Sequence, residues 1–209
     1  MGNKTIYTVG HSNHSPEVFI DLLQHCSINC LIDVRSVAAS AHNPHFNKAP
    51  LASFLKKNQV AYLHFAQEFG ARHADPALLD ADGTVDFKKV QQAEAFLSGV
   101  ERVREGLEKG FRIALMCSEA EPFDCHRFAM VSVFLEQKGF EVQHILRDKT
   151  LKTNAQLESQ LLKKYHKKLP RPNIFEPDIT ADHQLAAAYQ LRNKEIGFSP
   201  ATPETEEQL

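Results

Sequence analysis

Residues 112–127 have the sequence RIALMCSEAEPFDCHR, which combines the signals of a strand, a loop and a helix. The apolar run over residues 113–116 has the length of a buried strand and ends at Cys117. Apolar residues then recur at helical spacing over residues 128–135. Asp124 is the predicted N-cap of that helix, because its carboxylate can accept hydrogen bonds from free amides of the first turn. Active-site loops often have this arrangement.

Two cysteines in this stretch are candidate nucleophiles. Cys125 would lie in the first helical turn, where the helix dipole and unpaired N–H groups favour a thiolate. Cys117 is the second candidate, and His126, Glu119 or His11 could act as the base. Either cysteine could instead be an inert packing residue. A zinc site built from both cysteines and His126 is another alternative. Adjacent residues rarely point at one metal and no fourth ligand is obvious, so we predict no metal.

Strands and helices are predicted to alternate along most of the chain. The predicted strands cover residues 5–9, 30–35, 60–65, 113–116 and 141–146. Helical patterns also occur at residues 16–26, 49–57 and 86–109, and the last of these is predicted to be one long helix. Each strand is mostly apolar. We therefore predict a Rossmann-like three-layer α/β fold, with a mostly parallel central sheet of about five strands and helices on both faces.

The chain is predicted to have three parts. An α/β domain covers residues 1–150, a helical extension covers residues 151–195, and an acidic tail covers residues 196–209. The extension contains a predicted amphipathic helix at residues 154–169 and a shorter helix at residues 182–192. We expect the tail to be disordered, because it is acidic and contains proline and threonine.

Unusual polar residues follow several of the predicted strands. They occur at residues 10–12, at residues 33–35, in part of 62–72, and from residue 117 onward. Right-handed crossovers place the carboxyl ends of parallel strands at one edge of the sheet, where ligands bind. We expect these groups to line one cleft there. The predicted catalytic residues are Cys117, Cys125, Glu119 and His126, and the predicted substrate- or anion-binding residues are His11, Ser12, Asp33, Arg35, Arg72 and Arg127.

Some of these assignments have structural alternatives. Asp33 and Arg35 point to opposite faces if the second strand continues through both, so only one of them need face the cleft. Arg127 could pair with Asp33 or Glu119 instead of binding an anion. His11, at the end of a strand, could be satisfied by hydrogen bonds alone.

Five ordered motifs carry a resemblance to a known family. They are Thr8-Val9-Gly10-His11-Ser12, Asp33-Val34-Arg35, Asn43-Pro44-His45-Phe46-Asn47, Glu68-Phe69-Gly70-Ala71-Arg72 and Cys117-x-Glu119-x-x-Pro122-x-x-Cys125-His126-Arg127. In these motifs the chain resembles the DUF488 family of bacterial and archaeal proteins, over about residues 4–147. The resemblance implies a compact α/β domain. It implies no particular reaction, because the family is named for its unknown function.

The composition argues against several classes of protein. The 209 residues carry a formal net charge of -2, which gives no global case for nucleic-acid binding. The four cysteines fit a reducing compartment better than a disulfide framework. No apolar run approaches membrane-spanning length, so we expect a cytoplasmic protein with no membrane partner. The phosphate-binding patterns GxGxxG, GxxxxGKS and GxxxxGKT are all absent, and we predict no cofactor.

The leading prediction is an enzyme that acts on a small or nucleotide-like anionic substrate. Its cleft would combine cysteine, histidine and arginine at the carboxyl edge of the sheet. The alternative is a non-catalytic accessory domain that binds nucleic acid or a nucleotide. In that case the contacts would include Lys163, Lys164, Lys167 and Lys168. Such a run of lysines is also common on a solvated helix face.

Overall fold

Six strands form the central sheet of the computed structural model, which describes residues 4–172, 174, 175 and 177–200. The strands are β1 (Thr5–Gly10), β2 (Cys30–Asp33), β3 (Ala61–His64), β4 (Ile113–Cys117), β5 (Glu141–Ile145) and β6 (Leu151–Thr153). Their order is β3-β2-β4-β1-β5-β6, and all neighbours are parallel except β5 and β6. The predicted mostly parallel α/β fold is confirmed. The sixth strand was not predicted, and it forms because the chain turns back after β5.

Helices cover both faces of the sheet. They are α1 (Pro16–His25), α2 (Lys48–Lys57), α3 (Ala66–Phe69), α4 (Phe87–Gln92), α5 (Glu94–Glu108), α6 (Val133–Gln137), α7 (Asn154–Tyr165) and α8 (Ala181–Ile196). A π-helical segment, Arg127–Ser132, leads directly into α6. The prediction of one helix over residues 86–109 was wrong. The backbone is extended at Ala93, with φ -67° and ψ 142°, and this separates α4 from α5 although no glycine or proline marks the break.

Side chains of the central strands alternate between two hydrophobic cores. In β4, Ile113, Leu115 and Cys117 face one core, whereas Ala114 and Met116 face the other. Helices α1 and α2 cover the second core, and α5, α6 and α7 cover the first. All five residues of β4 are buried, which explains its unbroken apolar sequence.

The neighbouring strands β1 and β4 mark the point where the chain connections change face. The helix after β1 is α1, which packs against the core of Tyr7 and Met116. The helix after β4 packs against the opposite core, through Phe128 and Met130. In open α/β sheets, the crevice outside the carboxyl ends of two such strands is where ligands bind. A ligand site is therefore expected among the residues that follow β1 and β4.

The residues after 150 add to the same sheet and core. Strand β6 pairs with β5, and Leu157, Leu161 and Tyr189 belong to the core cluster that α5 also covers. Part of the predicted acidic tail is described, and there Phe198 O accepts a hydrogen bond from Val85 N at 2.9 Å. Residues 201–209 of that tail lie outside the described residues. In the part of the chain that the structure describes, no helix combines the length and the apolar character needed to cross a membrane.

A buried histidine ties β5 to its neighbours. The Nδ1 atom of His144 is 2.8 Å from Thr8 Oγ1, and its Nε2 atom is 3.3 Å from Asn154 Oδ1. The amide oxygen can only accept, so Nε2 carries the proton and Nδ1 accepts from the threonine hydroxyl. Burial, together with the charge of nearby Arg127, lowers the pKa of His144 to about 3. The folded protein therefore holds this ring in its neutral form.

We predict that acid weakens folding through His144. The unfolded chain takes up a proton at an ordinary histidine pKa of about 6.5, whereas the folded chain resists protonation down to about 3. The stabilisation is therefore complete above about pH 6.5 and is lost as the pH falls toward 3. Urea denaturation at a series of pH values measures it. His144→Gln should show a shallower acid decline, and replacement of the exposed His42 by Gln should leave the wild-type decline unchanged. Equal declines in His144→Gln and wild type would contradict the prediction.

Candidate functional site

The loop that follows β4 is held between an arginine and a glycine. We call residues 118–124 the cysteine loop. Arg127 is fully buried, and its Nη1 and Nη2 atoms donate to Glu119 O at 2.6 Å and to Ala120 O at 2.9 Å. On the other side, a Cβ atom at Gly10 would lie 1.9 Å from Glu119 O. A glycine at position 10 is therefore required for the loop to pass this close to β1.

Four reactive side chains converge where the cysteine loop begins and ends. We call Cys117, Glu119, Cys125 and His126 the cysteine cluster. The Oε2 atom of Glu119 is 2.9 Å from Cys117 Sγ and 3.1 Å from Cys125 Sγ. The Nδ1 atom of His126 is 3.7 Å and 3.8 Å from the same two sulfurs. The adjacent residues 125 and 126 thus point at one place, contrary to the expectation that argued against a metal.

The ring of His126 is oriented by the neighbouring strand. Its Nε2 atom is 3.1 Å from the carbonyl oxygen of Val34, which follows β2. A carbonyl can only accept a hydrogen bond, so Nε2 donates and Nδ1 faces the sulfurs. Both sulfurs are buried, whereas Glu119 is exposed as a whole residue even though its carboxylate lies against the sulfurs. Glu119 therefore lies between the buried sulfurs and solvent.

Cys125, and not the predicted Asp124, occupies the N-cap position of the helix. Its backbone is extended, and its carbonyl accepts from Phe128 N at 3.1 Å. Its Sγ atom accepts from Arg127 N at 3.4 Å, as an N-cap side chain does. The carboxylate of Asp124 instead pairs with Arg192 of α8. The prediction for Asp124 was wrong because an arginine distant in sequence competes for its carboxylate.

The surroundings of the two thiols shift their pKa values in opposite directions. Burial, and then the proximity of Cys125, raise the pKa of Cys117 well above the usual thiol value. Burial also disfavours the Cys125 thiolate, but the hydrogen bond from Cys117 and the charges of Arg127 and His126 lower its pKa well below the usual value. Cys125 therefore ionises more readily than Cys117.

The other two members of the cluster respond to that charge. Burial disfavours the imidazolium of His126, yet the adjacent Cys125 raises the pKa of His126 overall. Burial, followed by the charge of Cys125, raises the pKa of Glu119. A proton is thus held more tightly by His126 and Glu119 when the Cys125 sulfur is ionised.

Asp33 and Arg35 pair with each other instead of pointing to opposite faces. The strand ends at Asp33, so Arg35 turns back, and its Nε and Nη2 atoms donate to Asp33 at 2.8 Å and 2.6 Å. Nη2 also donates to Phe46 O at 2.7 Å. The hydroxyl of Tyr62 donates to Asp33 Oδ2 at 2.8 Å. The prediction from strand alternation does not apply, because β2 is shorter than expected.

His11, directly after β1, contacts the arginine of this ion pair. Its Nδ1 atom is 2.8 Å from the carbonyl oxygen of Ser12, so Nδ1 donates and Nε2 accepts from Arg35 Nη1 at 3.1 Å. Burial is the main cause that lowers the pKa of His11 to about 4, and the charge of Arg35 adds to it. The ring stacks on Phe46 with 4.4 Å between centroids. Neutral His11 therefore acts as an acceptor for Arg35.

Backbone hydrogen bonds join this ion pair to the cysteine cluster. His11 N donates to Cys117 O at 2.9 Å, and Ser12 N donates to Ser118 O at 2.9 Å. The predicted residues that the structure brings together at this edge are His11, Ser12, Asp33, Arg35, Cys117, Glu119, Cys125, His126 and Arg127.

Two of the predicted anion-binding arginines have other contacts. Arg127 has no exposed surface, and its guanidinium holds loop carbonyls instead of pairing with Asp33 or Glu119. Arg72 is exposed, and its guanidinium lies 5.5 Å from the ring of Phe198. The sequence does not show either contact, because Arg127 binds backbone carbonyls of the adjoining loop and Arg72 lies near Phe198, which is distant in sequence.

Some residues of the site had no assigned role in the sequence analysis. Tyr62 contacts Asp33, Phe46 contacts both His11 and Arg35, and His64 Nε2 donates to Arg35 O at 2.8 Å. The sequence signal that could have identified Tyr62 and His64 was their position on the strand next to Asp33. Tyr62 and His64 lie two residues apart in β3 and so share one face, and β3 pairs with β2 so that Asp33 lies beside His64.

We predict that Gly10→Ala distorts the cysteine loop. The new Cβ would clash with the Glu119 and Ala120 carbonyls, and overpacking of this kind costs about 1–3 kcal/mol of unfolding free energy. Thermal denaturation measures the loss. Gly106→Ala in α5 is the matched control, because its Cβ meets a flexible Ile113 methyl and gains helix propensity of about 0.8–1.0 kcal/mol. Wild-type stability in Gly10→Ala would show that the loop is not confined as described.

Comparisons with known proteins identify the family. The family model described as domain of unknown function DUF488 matches residues 15–134. A search of curated proteins found no match, and a search of solved structures found none. The matched segment runs from the start of α1 to the helix after the cysteine loop and contains the Asp33–Arg35 pair and the whole cysteine cluster. Because the match covers more than half of the chain, this protein belongs to the DUF488 family.

Proposed function

We propose that the protein is an enzyme that acts on a small or nucleotide-like anionic substrate at the carboxyl edge of the sheet. The observation that carries the proposal is the convergence of Cys117, Glu119, Cys125 and His126, with Oε2 and Nδ1 within 3.8 Å of both sulfurs. They converge beside the ends of β1 and β4, where ligands bind in open α/β sheets. Nucleophile and acid–base groups in mutual contact are typical of catalytic sites.

Glu119 is the residue that we expect to meet substrate first. Its side chain is exposed, while its Oε2 atom contacts both buried sulfurs. A carboxylate in this position can exchange a proton with a substrate and with the groups behind it. Because the Arg127 contacts fix the backbone of Glu119, the carboxylate is positioned before substrate arrives.

Arg35 is the residue that we expect to contact the anion. Four of its five N–H groups have acceptors among the described residues, which leaves one on Nη1. Neutral His11 and the Asp33 carboxylate hold the guanidinium in place. The formal net charge of the chain is -2, so attraction for an anion must be local. We also infer a cytoplasmic location, because reduced cysteines such as the four described here are usual in that compartment.

We predict that turnover depends on the clustered sulfurs. Purified protein is screened against phosphomonoesters, nucleoside phosphates and sulfur-containing nucleotides, and the best substrate is then used with Cys117→Ser and Cys125→Ser. Each substitution should lower kcat/KM by about 100-fold or more, the range expected for loss of a group that acts on the reacting atoms. Cys26→Ser is the matched control, since Cys26 is buried and lies at the end of α1, outside the cluster. Unchanged rates in both cluster variants would reject the proposal.

A second candidate function is binding of nucleic acid without catalysis. Lys163, Lys167 and Lys168 are exposed at and just beyond the end of α7. Lys164 pairs with Glu195, and its Nζ atom lies 5.7 Å from the ring of Phe123 in the cysteine loop. The basic end of α7 therefore adjoins the proposed site, where it could contact phosphates.

This candidate predicts affinity that falls steeply with salt. Binding of labelled single-stranded DNA is measured over a range of salt concentrations. Lys163→Glu/Lys167→Glu should weaken binding and reduce the salt slope by about 0.7 for each lost phosphate contact. Lys56→Glu/Lys57→Glu, at the exposed end of α2, is the charge-matched control. Absence of binding at low salt, or equal losses in both double variants, would remove this candidate.

A further inference from the structure

We propose that Cys117, Cys125 and His126 bind a zinc ion, with Glu119 as its fourth and replaceable ligand. This inference rests on the proposed function for the class of substrate. Binding of the metal, by contrast, can be measured without any assay of turnover. The inference also revises the expectation, drawn from the sequence, that no metal binds there.

The ligand atoms have nearly the spacing of a tetrahedral site. Cys117 Sγ, Cys125 Sγ and His126 Nδ1 all lie within 4.8 Å of one another. The nitrogen is 3.7 Å from one sulfur and 3.8 Å from the other. Zinc bonds of about 2.3 Å to sulfur and about 2.0–2.1 Å to nitrogen place these atoms about 3.6 Å apart in a tetrahedron. An ion therefore fits with only small shifts of these side chains.

Glu119 supplies the fourth ligand that the sequence did not reveal. Its Oε2 atom is 2.9 Å from Cys117 Sγ and 3.1 Å from Cys125 Sγ. A zinc-bound carboxylate oxygen would lie about 3.6 Å from each sulfur, so Oε2 would move outward by about half an ångström. The side chain is exposed, and rotation of its carboxylate allows this movement without change in the clamped backbone.

The surroundings match those of zinc-binding residues. A histidine that binds zinc through one nitrogen usually donates its other N–H to a carbonyl or carboxylate. His126 does this, because Nε2 donates to Val34 O at 3.1 Å and Nδ1 remains directed at the sulfurs. Cys125 Sγ also accepts from Arg127 N at 3.4 Å, a contact that orients the sulfur. These outer contacts hold two of the ligands in place before any metal binds.

The charges are also complementary. Arg127 is fully buried, and no carboxylate of the described residues lies within ion-pair distance of its guanidinium. A buried cation without a counterion is costly. Zinc with two thiolates, one carboxylate and a neutral imidazole carries one net negative charge. The negative charge of the metal centre would thus balance the positive charge of Arg127.

The types of ligand atom favour zinc over other metals, and they indicate how the ion could bind a substrate. Two sulfurs and an imidazole favour zinc over magnesium or calcium, which prefer oxygen. Catalytic zinc sites keep three protein ligands and one position that water or substrate can take. Glu119 is the exposed member, so displacement of its carboxylate would open that position to an anionic group of the substrate.

Metal content tests the inference directly. Full-length protein is purified under reducing conditions, and its zinc is measured by mass spectrometry. We expect about one zinc per chain, and cobalt in its place should give sulfur-to-metal charge-transfer bands and the visible bands of tetrahedral cobalt. Cys125→Ser and His126→Asn should weaken zinc binding by at least about 10- to 100-fold, the range known for loss of even an outer contact. Cys26→Ser should bind zinc as the wild type does.

The outcomes separate the two proposals. Failure of reduced wild-type protein to bind zinc or cobalt overturns the metal site, as does binding that survives both cluster substitutions. Should these variants fail to fold, as judged by circular dichroism, the wild-type cobalt spectrum decides, and a spectrum without sulfur bands overturns the site. If the wild-type protein binds zinc but Cys117→Ser and Cys125→Ser leave turnover unchanged, only the proposed function is rejected.

Discussion

The geometry of the site depends on the hydrogen bonds that the buried guanidinium of Arg127 donates to the cysteine loop. The guanidinium donates to the carbonyls of Glu119 and Ala120, and Gly10 leaves these carbonyls room on the opposite side. A buried charge must find polar partners, because leaving it unpaired costs several kcal/mol. The cysteine loop therefore follows the path that supplies acceptors to Arg127. As a result, the Glu119 carboxylate is directed at the Cys117 and Cys125 sulfurs.

Later parts of the chain support the same loop. The π-helical segment that begins at Arg127 is stabilised by Ser132, whose Oγ donates to Arg127 O at 2.6 Å. Such segments occur often at functional sites. From α8, Arg192 donates to Phe123 O at 3.0 Å and pairs with Asp124. Helix α8 lies beyond the segment matched by the family model, so the family motif is supported here by a part of the chain outside that match.

Much of the fold was predictable, because apolar periodicity and strand length reflect burial directly. The five parallel strands and the edge that carries the polar residues follow from that pattern alone. The break at Ala93 and strand β6 do not, since neither has a local signal of its own. At the site, the sequence named the two cysteines and the histidine that the structure brings together, but it missed that Arg127 would be enclosed and that Arg35 would pair with Asp33.

The sequence by itself determined the α/β class, the family, and the placing of Cys117 and Cys125 on either side of one loop, because these depend on local pattern and spacing. Only the tertiary structure decided which side chains the loop brings to the two sulfurs. The Glu119 carboxylate and the His126 nitrogen meet the sulfurs because Arg127, Gly10 and Val34 O position them. The contacts of Gly10 and Val34 O join segments more than 90 residues apart, whereas Arg127 holds the loop that directly precedes it. Local spacing carries no information about such contacts, since they arise when distant strands become neighbours in the sheet.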